Sequence, residues 1–477
     1  MKVASLPGID LNGVAYDSRR VQPGDVFVAL TGLNATGTDF ADEAIRRGAV
    51  AVIAEQPAPG TTSVPWIRVP DARGVMAALA ADVYGHPSRS MQVVGITGTN
   101  GKTTTAYLLR AVFDAAGKKC GLLGTVTYSL GDQEMPASRT TPEAPDVQRM
   151  FRQMVDAGCG ACVMEVSSHA LALKRVDGTT FAAGVFTNLT RDHLDYHGDM
   201  ESYFAAKRRL FEMLPPAAPA AINLDDPRGE TIRKVASTPV TYAINKPADV
   251  TAGPLTLTFS GLEFDARTPT GTVHVKSRLV GRPNVSNILA TVAVATALGL
   301  PVAAIERGLA NLAGVPGRFE VVSDARDDVT VVIDYAHTDD ALKNLLETAR
   351  PLAERRVITL FGCGGDRDRT KRPLMGAVAA RLSDVVVITS DNPRTEDPAR
   401  IIEEIKRGVP PLSDRDERQT VAIVDRKEAI QFAIKTAQPG DLVLLAGKGH
   451  EKSQSIGDQQ FPFDEAEIAR EALERRR

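Results

Sequence analysis

Residues 91–117 read MQVVGITGTNGKTTTAYLLRAVFDAAG, and the fold of the chain turns on them. An apolar run of buried-strand character leads into GITGTNGKTT at residues 95–104, and a helical pattern follows it. That strand, loop and helix order is what a phosphate-binding loop requires. Small residues around Gly98, Thr99, Asn100 and Gly101 let successive backbone N–H groups curl around phosphate oxygens. The helix N-terminus at Thr103 and Thr104 adds partial positive charge, and Lys102 reaches the terminal phosphates. Thr103 also offers a hydroxyl to Mg2+. A glycine-rich turn with a chance lysine is the alternative, and it leaves the flanking strand and helix unexplained. The loop does not by itself separate kinases, switches, motors and ligases. The segment TNLTRDHLD at residues 187–195 lacks the lysine of the base-reading N-K-x-D motif, which disfavours a switch or motor.

Outward from this loop the chain divides in three. Its 477 residues exceed what one hydrophobic core usually supports. Residues 1–88 alternate short apolar runs (DVFVAL, AVAVIAE) with a helical pattern (FADEAIRRGA) and end at the turn-like YGHPSRS. Residues 89–316 hold the phosphate loop, further βαβ units with strands expected at 121–126, 161–166 and 184–188, antiparallel hairpins at 255–281 and an apolar helix at 284–300. Residues 317–477 repeat strand, loop and helix. The expected class is α/β, with a central P-loop domain of mostly parallel sheet and a Rossmann-like C-terminal domain. In such sheets ligands collect beyond the carboxyl ends of strands. The clusters AHTDD, GGDRD, DNPR and GKGHE all stand at such ends, which places them on one cleft.

With 56 basic and 59 acidic residues the net charge is −3, so nothing electrostatic favours a nucleic-acid partner, and an anionic ligand must be held locally. No signal peptide and no stretch of about 18 apolar residues is present, so a cytoplasmic location without membrane association is expected. The four cysteines fit a reducing compartment. Cys159 and Cys162 form a C-x-x-C without a second pair, and core packing is the reading preferred over redox or zinc chemistry.

Glu165 ends the apolar strand ACVMEV, where a carboxylate faces the ligand cleft and suits Mg2+; the alternative is a cap on the SSHA turn. His193 and His197 stand four apart in TRDHLDYHGD, but Gly198 argues for a loop there and no third soft ligand accompanies them. On YFAAKRRLFEML, Lys207 falls on the same helical face as Tyr203, Phe204, Leu210, Phe211 and Leu214. A buried ammonium must snorkel, pair, lose its proton or be modified. A neutral lysine amine can add carbon dioxide to become a carbamate, a carboxylate suited to Mg2+.

The segments GTNGKTT, MEVSSH, TRDHLDYHGD, YFAAKRRLF, GRPNVSN, GRFE, DYAHT, FGCGGDRD, DNPR and GKGHE follow one another along nearly the whole chain. In this order and content the chain resembles the Mur ligases, above all their diaminopimelate-adding members. The resemblance implies an ATP-dependent ligase, forming ADP and phosphate, that adds meso-2,6-diaminopimelate to UDP-N-acetylmuramoyl-L-Ala-D-Glu through an acyl phosphate during peptidoglycan precursor synthesis. It implies a monomer working with Mg2+. Lys102, Lys207 and His193 become the catalytic set, with Lys207 carbamylated and joined by His193 at a second Mg2+, while Thr103 and Glu165 serve the nucleotide-side ion. Asn287 is assigned to adenine, Arg318 to a phosphate and Asp334 to the ribose.

By the same resemblance, residues 1–88 bind the UDP-muramoyl substrate through Ser18 and the loop Leu33, Asn34 and Ala35, and Thr140, Thr141, Ser167 and Arg175 hold its dipeptide. Leu173 stands where some relatives have glutamine and is given no polar contact. Asp339 stands where proline is usual, which puts the local turn in question. Arg394 grips the far carboxylate of diaminopimelate, since a planar guanidinium makes two charge-assisted bonds to such a group. Arg367, Asp391, Asn392, Pro393, Gly447 and Glu451 complete that pocket. For DNPR alone the alternative is an Asn-Pro turn with a solvent-facing arginine. A lysine-adding relative and a folylpolyglutamate-type ligase are the competing readings.

Overall fold

The computed structural model describes residues 11–32, 35–411 and 419–477. Three sheets follow one another along the chain. The first is four parallel strands in sequence order, Gly13–Ala15, Asp25–Ala29, Ala51–Ala54 and Trp66–Arg68. The second is built around the phosphate-loop strand Gln92–Thr97, which lies between Ala161–Glu165 and Ala183–Phe186, both parallel to it. Pro219–Asn223 and Thr238–Ala243 extend it in parallel, and the antiparallel strands Gly261–Thr268 and Gly271–Ser277 lie beyond. In the third, Thr330–Asp334, Leu442–Ala446, Val357–Phe361, Val385–Ile388 and Gln419–Ala422 run parallel in that spatial order.

A strand buried on both faces alternates its side chains between two cores. Val94 and Ile96 enter one core and Val93 the other; Val331 and Ile333 likewise oppose Val332, and Val26 and Val28 oppose Phe27. The helix Arg282–Ala297 is apolar nearly all round because it is packed into the core of the second sheet, ten of its residues being buried. Among the described residues no helix is long and apolar enough to cross a membrane. All four cysteines are buried free thiols.

Several local expectations are corrected. The segment after His193 is a single helical turn, Leu194–His197, rather than a loop, with His193 and Gly198 at positive φ on either side of it. The strand expected at 121–126 spans Cys120–Leu123, because Gly124 and Thr125 turn aside around the Glu165 carboxylate. Pro219–Asn223 and Thr238–Ala243 were not anticipated: short, proline- and alanine-bearing runs have little alternation to show. The turn at Asp339 forms without proline. Thr338 caps the helix Asp339–Ala349 by accepting from Ala341 N–H.

Candidate active site

The phosphate loop is held from beneath by the end of the neighbouring strand. Thr99 N–H donates to Asn188 O at 2.9 Å, Asn100 N–H to Asn188 Oδ1 at 2.8 Å, and Thr187 Oγ1 to Asn100 O at 2.6 Å. Gly98 lies at φ +149, and a Cβ there would stand 1.9 Å from Thr187 Oγ1, so only glycine fits. Lys102 is half-buried and donates to Gly98 O and Thr99 O at 2.9 and 2.8 Å, and desolvation pushes its pKa down.

Glu165 accepts from Thr103 Oγ1 at 3.0 Å and from Thr125 N and Oγ1 at 2.8 and 3.0 Å. It does not cap the following turn; Ser167 does, accepting from Ala170 N–H. A hydroxyl and a carboxylate beside a phosphate loop match Mg2+, which takes one or two protein oxygens and completes its shell with phosphate and water. Among the described residues no three His, Cys, Asp or Glu side chains gather into a closed metal cage.

Lys207, on the helix Met200–Glu212, is 1% exposed and donates to Gly98 O at 2.7 Å, with its ammonium 4.5 Å from the Tyr203 ring centre. Burial, with Lys102 beside it, holds its pKa well below the usual lysine range. Snorkelling is thereby set aside. His193 lies 3.4 Å from Asp192 Oδ2, and desolvation lowers its pKa. His169 stands edge-on to His193, ring centres 4.8 Å apart.

The third sheet closes over this loop. Arg318 Nη2 donates to Thr103 Oγ1 at 3.2 Å, its guanidinium lying over the Tyr335 ring. Asp334 accepts from Phe319 N–H at 2.7 Å, and burial raises its pKa. Asn287 reaches the loop from the helix Arg282–Ala297; a Cβ on Gly101 would stand 2.3 Å from its Oδ1. Asn100 donates across to Asp340 Oδ2 at 3.0 Å. A cavity of about 280 Å³ lies between these groups, lined by residues 99–104, Glu165, His193, Lys207, Asn287, Arg318 and Asp334. A second, of about 580 Å³, opens on the far side of Asn100 and Asn287.

Thr140, Thr141, Ser167 and Arg175 gather at the other edge of Glu165. Thr140 Oγ1 is 3.1 Å from Thr125 Oγ1, Thr141 Oγ1 donates to Glu165 O, and Arg175 Nη1 donates to Thr141 O at 3.0 Å. Sequence reasoning passed over Glu143, on which Arg73, Arg139 and Arg175 converge. Three guanidinium groups on one carboxylate leave a surplus of positive charge suited to an anion. In the first sheet's domain Ser18 donates to Glu43, Ala35 is exposed, and Leu33 and Asn34 lie outside the described residues.

Beyond the strand Val385–Ile388, Arg394 stands at φ +51 with Nη1 on Gly365 O at 2.8 Å, and its backbone is tied on both sides to the ribbon of Ser453–Ile456 and Gln459–Pro462. It is partly enclosed rather than solvent-facing. Burial, then the neighbouring Arg367, push its pKa down. Two such cations side by side favour an anion between them. Gly364 and Gly365 pack against Arg394 and Pro393 where a Cβ would intrude. Asn392 Nδ2 donates to Glu451 Oε2 at 2.9 Å, while Gly447, at φ +115, leaves Asp391 room. Lys448, within GKGHE, has no spacing that announces it in the sequence, and its side chain is fully buried among these residues.

Three family descriptions match in the same order as the sheets: Mur ligase family, catalytic domain, over residues 10–84; Mur ligase middle domain over 96–295; and Mur ligase, glutamate ligase domain, over 317–449. The chain belongs to the Mur ligase family. Within this family it is 48% identical over 477 residues to the UDP-N-acetylmuramoyl-L-alanyl-D-glutamate--2,6-diaminopimelate ligase of Geobacter metallireducens, covering 96% of this chain and 93% of the relative. It is 47% identical to the protein of that name from Geobacillus thermodenitrificans, covering 98% and 96%. A solved structure bearing that ligase name superposes with a TM-score of 0.69 at 34% identity, over 98% of this chain and 95% of the other. The folylpolyglutamate synthase of Mycobacterium tuberculosis shares the fold, with a TM-score of 0.64 at 19% identity over 78% of this chain and 92% of the other.

Proposed function

We propose that this Mur ligase joins meso-2,6-diaminopimelate to UDP-N-acetylmuramoyl-L-Ala-D-Glu at the expense of ATP, in peptidoglycan precursor synthesis, as a cytoplasmic monomer. The observation that carries the acceptor is the paired Arg394 and Arg367 beside Asp391 and Glu451, a site of both charges for an amino acid whose far end is itself a zwitterion. The relatives bearing the diaminopimelate ligase name support the same choice.

In the first step the terminal carboxylate of the dipeptide attacks the γ-phosphorus of ATP. A P–O bond to the new acyl phosphate forms as the bond to ADP breaks. Lys102 turns from the Gly98 and Thr99 carbonyls to the phosphates, and Arg318 and the loop amides face the same charge, so catalysis is positioning and electrostatic stabilisation. Thr103 and Glu165 would hold Mg2+, which would supply charge neutralisation at the phosphates. The neutral amine of the acceptor then attacks the acyl carbon, and phosphate leaves. The enclosed Lys207 amine, whose charged form burial disfavours, adds carbon dioxide with loss of a proton, and the carbamate oxygen together with a His193 ring nitrogen would hold a second Mg2+, which would add positive charge beside the phosphates.

The deciding experiment is phosphate release by the purified protein with Mg-ATP and the UDP-muramoyl dipeptide, comparing meso-diaminopimelate with L-lysine. Release with diaminopimelate alone is expected. Preference for lysine overturns the role of Arg394, and release with neither overturns the ligase reading.

A further inference from the structure

Lys448 follows Gly447 beyond the strand Leu442–Ala446, and its side chain has 0% exposure. A buried ammonium is tolerated only where acceptors replace its water. Here Nζ stands 3.0 Å from Asn392 Oδ1, 3.1 Å from Glu451 Oε2 and 3.5 Å from Asp391 Oδ1. These acceptors come from two loops, one beyond each of two different strands, so the lysine joins both halves of the acceptor pocket from behind.

The arrangement also fixes orientation and charge. Asn392 Oδ1 accepts from Ser455 N–H as well, at 2.9 Å, which turns the Asn392 amide nitrogen toward Glu451 Oε2. Asp391 and Glu451 together bring two negative charges, and Lys448 cancels one. Left alone the two carboxylates would repel each other and draw in water. Asp391 Oδ1, although buried, makes no hydrogen bond among the described groups, and its 3.5 Å contact with Lys448 is an ion pair.

We propose that Lys448 is a positioning residue for the acceptor amino acid, holding Asp391, Asn392 and Glu451 as one rigid face of net negative charge aimed at the far ammonium of a diamino acid. The inference rests on the acceptor pocket proposed above. Lys448 is enclosed and stays out of contact with the ligand. Its effect is confined to acceptor binding: the phosphate loop and the dipeptide residues are bonded to other groups.

The test is Lys448→Met in the full-length enzyme, with KM determined separately for acceptor, ATP and dipeptide by phosphate release. Acceptor KM rises ~10- to 100-fold, the loss of a charged buried hydrogen-bond partner. The other two KM values and kcat at saturating acceptor stay within about threefold. A parallel rise of all three KM values, or an unchanged acceptor KM, overturns the proposal. Should Lys448→Met fail to fold, the pair K448M/E451Q and E451Q removes the uncompensated charge; the double variant then needs a higher acceptor KM than E451Q, and equal values overturn the idea. Wild-type acceptor choice is measured first. If lysine replaces diaminopimelate, the acceptor reading falls while Lys448 is still judged on the lysine KM.

Discussion

Lys207 was legible as an anomaly at the residue scale, because helical spacing alone put an ammonium on an apolar face. What the tertiary structure adds is its partner, Gly98 O, and the neighbouring Lys102, which after burial is the next cause holding its pKa well below the usual lysine range. Replacing Lys207 with alanine is expected to lower turnover at least ~10²-fold, as removal of an electrostatic catalytic group does. Short-chain carboxylic acids should restore part of it in a concentration-dependent way. Full activity in the alanine variant would remove the carbamate from the mechanism. Glu143, His169 and Lys448 show the reverse case. Their side chains matter through partners distant in sequence, and no local spacing announces them.

At the scale of elements, the join between the phosphate loop and the helix Arg282–Ala297 depends on a missing side chain. Gly101 sits at φ +86 with Asn287 Oδ1 against its vacant Cβ position. Gly101→Ala both strains the backbone and displaces Asn287. The expected outcome is a rise of about tenfold in the KM for ATP, equivalent to ~1.4 kcal/mol, with little change in the KM for acceptor. Gly117→Ala is the control: its φ is +77, but nothing lies within 4 Å of the added Cβ, so it lowers stability and leaves the KM for ATP alone. Equal effects from the two substitutions would refute the assignment of Asn287. The strands at the third sheet's carboxyl ends were readable from their apolar runs, and so was the cleft they share. The strands Pro219–Asn223 and Thr238–Ala243 were not, since pairing with neighbours rather than composition makes them strands.

For the whole molecule, histidine burial sets the acid limb of stability. His197 and His450 have pKa values lowered to about 4, and His169, His193 and His337 are lowered too, desolvation being the largest cause in each. The unfolded chain takes up protons near 6.5, whereas the fold refuses them until lower pH. These histidines therefore contribute stability that is present above about pH 6.5 and is lost as pH falls toward 4, while Asp334, Asp340 and Glu465, whose pKa values burial raises, act in the opposite sense over the lower part of that window. Glu396, lowered to about 2 chiefly by its bond to the buried Arg372, extends the loss below pH 4.5 with the same sign. Calorimetry should show a Tm that declines steadily from pH 6.5 to 4 in the protein without nucleotide. A constant Tm over that range would contradict the burial assigned to these histidines.

The sequence by itself determined the α/β class, the phosphate loop, the three-part order and the family, because each rests on local period or on residue types at short fixed spacing. Only the tertiary structure decided which distant groups meet: Arg318 with Thr103, Asn100 with Asp340, and Lys448 with Asp391, Asn392 and Glu451. It also fixed which side chains are enclosed. Burial and charge compensation are properties of neighbours in space, and the chain order of those neighbours holds no record of the distance between them.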